Sequence, residues 1–335
     1  MKRYGNLWNK IVTKENLLLA YRKARRGKSW QQAVQEIDKN VDYYINSLHN
    51  LLVNDSYKTA SYRTKIIYEP KMRTIFILPF FPDRIIHHAI MNVLEPIWDK
   101  LFTYHSYACR HGKGQHKGSK YCMSLVHKYK YCLKCDVSKF YPSINHKVLK
   151  GIIRKKIKDQ QILKLLDEII DSIDGDTNVP IGNYLSQWFG NLYLNELDTL
   201  LKQQYHIKAY LRYCDDFCLF SNDKEELHKL AIAIRTFLEE TLKLRMSKCN
   251  LFPVTQGVDF LGYRHFPQGY ILVRKTTAKR MKQRFKSLIW DYKHHKITKE
   301  QASAKIASTE GWLKHANSHN FSIFLQIDKL KEVIA

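Results

Sequence analysis

Apolar residues recur at helical spacing through Lys14–Arg25 and again through 30–52, so the opening of the chain reads as two helices with basic outer faces. The period then shortens to two. Residues 62–68 and 72–78 alternate on either side of Glu69-Pro70, the pattern of a β-hairpin. Pro82 starts a helix that turns Ile85, Ile86, Ala89, Ile90, Val93 and Leu94 to one buried face, and a Gly-, Lys- and His-rich loop follows at 110–120. A strand beginning at Tyr131 runs into Asp136. Helices are predicted over 146–157 and 161–173, and a polar turn at 174–178 precedes a long helix from Asn183 to Gln204. Two apolar stretches, 207–211 and 217–220, flank the tetrad Tyr213-Cys214-Asp215-Asp216 as strands around a turn. An amphipathic helix at 224–242, another hairpin from 258–265 and 270–273, and a basic helical tail from Thr276 complete the chain. This order predicts an α+β fold with divisions at 1–130, 131–273 and 274–335. It contains no internal repeat, no Gly-x-Gly-x-x-Gly and no P-loop, so a classical nucleotide-binding fold is not expected.

Composition narrows the partner. The chain has 335 residues, enough for a large core, and an ordinary apolar fraction of 44%. Its 56 Lys and Arg against 31 Asp and Glu leave a formal charge of +25. So large an excess self-repels in isolation and points to a polyanion, of which nucleic acid is the natural one because phosphates reward clustered Lys and Arg. Residues 1–10 lack the apolar core of a signal peptide, and no stretch approaches the roughly 20 apolar residues of a membrane span. Seven scattered cysteines fit a reducing compartment, so a cytoplasmic location is expected. Cys132 and Cys135 form a C-x-x-C, but on a strand that spacing divides the side chains between faces, which disfavours zinc.

The chemistry concentrates on carboxylates. A Tyr-x-Asp-Asp alone is within reach of chance in a chain with 21 tyrosines, so its surroundings decide. Two adjacent aspartates at a strand turn are costly to bury unless a cation neutralises them. A third, Asp136, ends an earlier strand. Three carboxylates at one sheet edge match two-metal nucleotidyl transfer, in which two Mg²⁺ ions about 4 Å apart activate a 3′-hydroxyl and steady the pyrophosphate. Each part has an ordinary alternative: Asp136 as a helix N-cap, Asp215-Asp216 as a plain turn.

In order and spacing, the two aspartate motifs resemble the palm of a reverse transcriptase. Further blocks resemble that family in sequence order. They include Pro79 to Ala89 after the first hairpin, Tyr107 to Gly114 as a template-side loop, and Phe260-Leu261-Gly262-Tyr263 as a primer-grip hairpin. The resemblance implies a right-hand polymerase of fingers, palm and helical thumb, with fingers in 1–130, palm in 131–273 and thumb in 274–335. It implies Asp136, Asp215 and Asp216 as catalytic metal ligands beside Val137, with two Mg²⁺ as cofactor and Mn²⁺ as a substitute. Lys65 and Arg73 stand where the family grips the triphosphate, Tyr141 where it excludes the 2′-hydroxyl, and Ser247-Lys248 where a lysine approaches the pyrophosphate.

One block is more particular. Most of the family carries Gln-Gly at the start of the helix between the aspartate motifs, whereas this chain reads Val179-Pro180-Ile181-Gly182-Asn183-Tyr184-Leu185-Ser186-Gln187. An apolar residue before the glycine, with Ser-Gln following, resembles the reverse transcriptases of diversity-generating retroelements, in the group II-intron-like lineage. The resemblance implies error-prone copying of a template-repeat RNA into cDNA, chiefly opposite adenine. Expected partners are that RNA, the RNA/cDNA duplex, dNTPs and a basic, ring-forming accessory variability protein. Ile181 and Gly182, with Ser186 and Gln187, form the fidelity block; Ser186 and Gln187 have helix packing as an equal alternative. An end at Ala335 is expected to leave no maturase, endonuclease or RNase H segment. The rival readings are a retron-like or abortive-infection polymerase, and a non-catalytic RNA-binding protein on the same scaffold.

Overall fold

A computed structural model describes residues 3–68, 71–328 and 331. Its strands in chain order are β1 (Arg63–Ile67), β2 (Arg73–Ile77), β3 (Tyr131–Val137), β4 (Tyr210–Tyr213), β5 (Asp216–Ser221), β6 (Met246–Pro253), β7 (Val258–Phe260), β8 (Tyr263–His265) and β9 (Ile271–Val273). The fold is mixed helix and sheet, as the alternation of periods predicts. The chain divides into two compact units. One comprises Met1–Tyr104, Val137–Ile207 and Ala233–Ser247, and the other His105–Asp136, Lys208–Ile232 and Lys248–Ala335.

In the first unit the opening helices pack against Ile85–Asp99, whose Ile85, Ile86, Ala89, Ile90 and Leu94 are fully buried, with Val93 half-buried. The helix expected over 30–52 is two helices, Gln32–Lys39 and Val41–Val53. Asn40 breaks them: its backbone is non-helical and its side chain accepts the Tyr43 amide, capping the second helix. β1 and β2 pair antiparallel as a ribbon, and the Glu69-Pro70 turn lies outside the described residues. The helix from Asn183 begins at Tyr184 and runs to Thr199, with a wider turn continuing it through Leu200–Gln204.

The second unit holds a four-stranded sheet in the order β4-β5-β3-β6 and a three-stranded sheet β7-β8-β9. Half of the loop expected at 110–120 is helix, Gln115–Lys128, which buries Cys122, Leu125 and Val126. The stretch 258–265, one arm of a hairpin by its local pattern but a hairpin about Leu261-Gly262 by resemblance, is a hairpin. Leu261 and Gly262 both have positive φ (55° and 83°), the two-residue turn that suits the strand twist. Helices Lys275–Lys293, Lys299–Leu313 and His319–Phe324 follow, and Phe285, Leu288, Ile306 and Leu313 form their own apolar cluster. Among the described residues no helix is long and apolar enough to cross a membrane.

The first unit carries an acid-sensitive element. His87 is buried with Nε2 unpartnered, and burial together with His88 and Arg84 lowers its pKa to about 3. His88, stacked on Tyr184 at 4.3 Å, is lowered to about 4 by burial and Arg84. Both are therefore neutral in the fold and protonate near pH 6.5 when unfolded, so stability is complete above that pH and lost as pH falls through it. Each imidazole should cost about 1 kcal/mol between pH 6.5 and 5.5. Melting curves at pH 7.5 and 5.5 should differ in that sense, and less so in His87→Leu.

Candidate active site

The second unit carries the carboxylates. β3 and β5 are antiparallel with Asp136 directly opposite Asp216, and Tyr213 opposite Asp216 closes the β4–β5 hairpin around Cys214 and Asp215. Alternation along the strands then puts Cys132, Lys134 and Asp136 of β3 on the same face as Asp216, Cys218 and Phe220 of β5. One end of that face is apolar, with Cys132, Cys218 and Phe220 in a core cluster; the other is charged. The odd spacing sends Cys135 to the opposite face, where its Sγ lies 3.6 Å from Cys249.

The turn that presents Asp215 is held from behind. Cys214 has φ of 52°, a left-handed conformation that a non-glycine residue adopts only under constraint. Arg212 supplies part of the constraint: it is fully buried and its Nη1 donates to the Cys214 carbonyl at 3.1 Å. Its own backbone accepts the Tyr107 amide and donates to the His105 carbonyl, a single parallel bridge that ties Ser106 to β4. An arginine inside an apolar stretch is the only sign of this in the sequence.

Opposing influences act on Asp216. Burial pushes its carboxyl up to about 6, and Lys134, 3.3 Å from Oδ2, works against that rise. Oδ1 is buried without a hydrogen-bond partner. Among the described residues no three His, Cys, Asp or Glu side chains close on a common point as they stand. The residues nevertheless fit a divalent cation: a buried, unpartnered carboxylate oxygen, a second carboxylate in register and a third in the adjoining turn are hard oxygen donors. The Val137 side chain is buried, leaving only its main-chain carbonyl for such a role.

Two other predicted elements belong to this unit. Lys248 is exposed on β6. Leu261 and Gly262 form the β7–β8 turn, and Tyr263 is buried, stacked on Trp312 at 4.1 Å with its hydroxyl donating to the Trp312 carbonyl. A Cβ on Gly262 would stand 2.9 Å from the Trp312 ring, so the turn lies directly on that side chain.

The first unit brings the remaining residues together. Lys65 pairs with Ile75 and Ile67 with Arg73, which places the exposed Lys65 and Arg73 on one face of the ribbon. On its other face lies Phe76, whose amide donates to the Ile181 carbonyl at 2.8 Å. Gly182 has φ of 124°, and a Cβ there would lie 2.4 Å from the Phe76 carbonyl oxygen. Ile181-Gly182 is thus fastened to the ribbon that carries Lys65 and Arg73. Ser186 is buried and donates to the Pro180 carbonyl at 2.6 Å, fixing the block's own loop, while Gln187 is exposed. The Tyr141 ring rests on Gly190, where a Cβ would meet it at 3.1 Å, and its carbonyl accepts the Val179 amide.

The sequence model of the reverse transcriptase (RNA-dependent DNA polymerase) family matches residues 65–265. Protein YkfC of Escherichia coli K12 is 27% identical over 241 residues, 58% of this chain and 63% of that one. The group II intron-encoded protein LtrA of Lactococcus lactis subsp. cremoris is 28% identical over 141 residues, 40% of this chain and 23% of that one. The chain therefore spans less than two thirds of either relative. Among solved structures, apo telomerase from Candida tropicalis superposes with a TM-score of 0.48 at 15% identity, covering 68% of this chain and 59% of that one. Proteins of this family use divalent metal ions, and the matched span runs from the β1–β2 ribbon through both aspartate motifs to β8. On that span, this chain belongs to the reverse transcriptase family.

Proposed function

We propose that the chain is an RNA-directed DNA polymerase. The observation that carries this reading is the register that sets Asp136 against Asp216 with Asp215 at the adjoining turn. Asp136, Asp215 and Asp216, with the Val137 carbonyl, would hold two Mg²⁺ ions or Mn²⁺ in their place. Bound there, the ions supply activation of the primer 3′-hydroxyl and neutralisation of the pyrophosphate. The protein's own part is positioning. Arg73, with a planar fork suited to phosphate oxygens, and Lys65 beside it grip the triphosphate. Tyr141 excludes a ribose 2′-hydroxyl, and Lys248 reaches the pyrophosphate as a general acid. The turn Leu261-Gly262 and Tyr263 hold the primer end, and the basic helices with Lys279, Arg280, Lys282, Arg284 and Lys286 follow the duplex backbone. The division into fingers (1–130), palm (131–273) and thumb (274–335) belongs to this reading.

The finer reading is the mutagenic polymerase of a diversity-generating retroelement, copying a template-repeat RNA with a ring-forming accessory protein. Ile181 supports it: glutamine at that place can hydrogen-bond toward the nucleotide sugar, whereas isoleucine offers only apolar contact, so mispairs are penalised less. The loss is about 1–2 kcal/mol, or roughly ten-fold in error rate. A group II intron polymerase is the second reading, favoured by the identity to LtrA. Primer extension on an RNA template with Mg²⁺, followed by cDNA sequencing, separates them. Errors should concentrate at template adenines and fall about ten-fold in Ile181→Gln. Accurate copying at adenine would leave the polymerase and remove the mutagenic assignment.

A further inference from the structure

Lys134 has no part in the reaction as described, yet it touches two of its components. It lies on β3, on the face that carries Asp136, and only 20% of its side chain is exposed. Its Nζ stands 3.3 Å from Asp216 Oδ2 and also donates to the Asp259 carbonyl of β7. The same ammonium lies 5.9 Å from the centre of the Phe260 ring, the residue before the Leu261-Gly262 turn. The Asp259 carboxylate is in turn ion-paired with Arg274, whose amide donates to the Gly262 carbonyl. One cation thus joins the sheet bearing the carboxylates to the sheet bearing the grip turn.

A half-buried ammonium is stable only where acceptors compensate its lost hydration, and here the two acceptors belong to different sheets. Removing the charge leaves the Asp216 carboxylate without its counter-ion and the Asp259 carbonyl without this donor. We propose that Lys134 is a positioning residue of the polymerase reaction, fixing the Asp216 carboxylate relative to the β7–β8 turn so that a primer end held there meets the carboxylates in one geometry. The proposal rests on the polymerase reading. Lys134 reaches no reacting atom itself; it acts through Asp216 and β7, as outer groups orient the ligands of a reaction centre.

The test compares the full chain with Lys134→Met and Lys134→Arg by two independent readouts. Amide hydrogen exchange of Val258–Phe260 and Tyr263–His265, measured without metal or substrate, should quicken about ten-fold in the Met variant and stay near wild type in the Arg variant. In primer extension, the Met variant should raise KM for primer–template about ten-fold with a smaller change in kcat, and Arg should restore it. Lys134→Gln, which keeps a donor for the Asp259 carbonyl without the charge, provides the same contrast should the Met variant not fold. Unchanged exchange and KM in the neutral variants would overturn the proposal. So would faster exchange throughout the second unit, which would make Lys134 a core element only. A wild-type chain that makes no cDNA would sink the polymerase reading, and the exchange result would still decide whether Lys134 joins the two sheets.

Discussion

Asp136→Asn and Asp215→Asn should each slow primer extension by at least about 10³-fold, a loss of roughly 4 kcal/mol of transition-state stabilisation, while leaving the melting temperature within a few degrees. Asparagine matches aspartate in shape, so the β3–β5 register and the turn survive; what disappears is the negative charge that would hold a divalent cation. Asp216→Asn should cost less, about 10²-fold. One of its oxygens already faces Lys134, so less of its charge is available to a cation. Single-turnover extension with saturating dNTP measures the chemical step apart from binding. Full extension in Asp215→Asn would remove that carboxylate from the catalytic set, whereas RNA binding without extension in the wild type would favour a non-catalytic RNA-binding protein on a polymerase scaffold.

Gly182→Ala should be the most destabilising single-methyl change in the first unit. Its φ of 124° is hostile to any side chain, and the new Cβ would stand 2.4 Å from the Phe76 carbonyl oxygen, with Ile75 Cγ2 at 3.0 Å. The clash is with backbone, so no rotamer change relieves it. Either Phe76 gives up its hydrogen bond to Ile181 or the ribbon shifts, at about 3 kcal/mol or more. Gly27→Ala is the milder comparison: φ is 69° there, in the left-handed region that side chains can adopt, and nothing lies within 4 Å of the added methyl. That control should lose about 1 kcal/mol, the cost of the backbone conformation alone. Thermal melts of the two variants, with hydrogen exchange of β1 and β2, give the comparison. Equal losses would mean that the approach of Gly182 to the ribbon carries no weight.

Whatever depends on neighbours in sequence is legible in the residues themselves. Period-two alternation marks β1 and β2, the apolar flanks of Tyr213-Cys214-Asp215-Asp216 mark β4 and β5, and Asp136 at the end of an apolar run marks the carboxylate end of β3. Two local signals mislead. Apolar spacing continues from Val34 and Ile37 into Ile45 and Leu48, hiding the break that Asn40 makes as an N-cap. Glycine, lysine and histidine give 110–120 the composition of a loop, although Gln115–Lys128 buries an apolar face. The rest lies in pairings between distant segments, which no local period encodes. The sequence by itself determined where the carboxylates, the basic ribbon and the Ile-Gly block fall on strands, hairpin and helix start, because those placements follow from residue type and local spacing. Only the tertiary structure decided that Asp136 faces Asp216, that Arg212 braces the turn, that Gly182 must be bare to meet Phe76, and that Lys134 spans two sheets, because register and close approach are set by long-range packing.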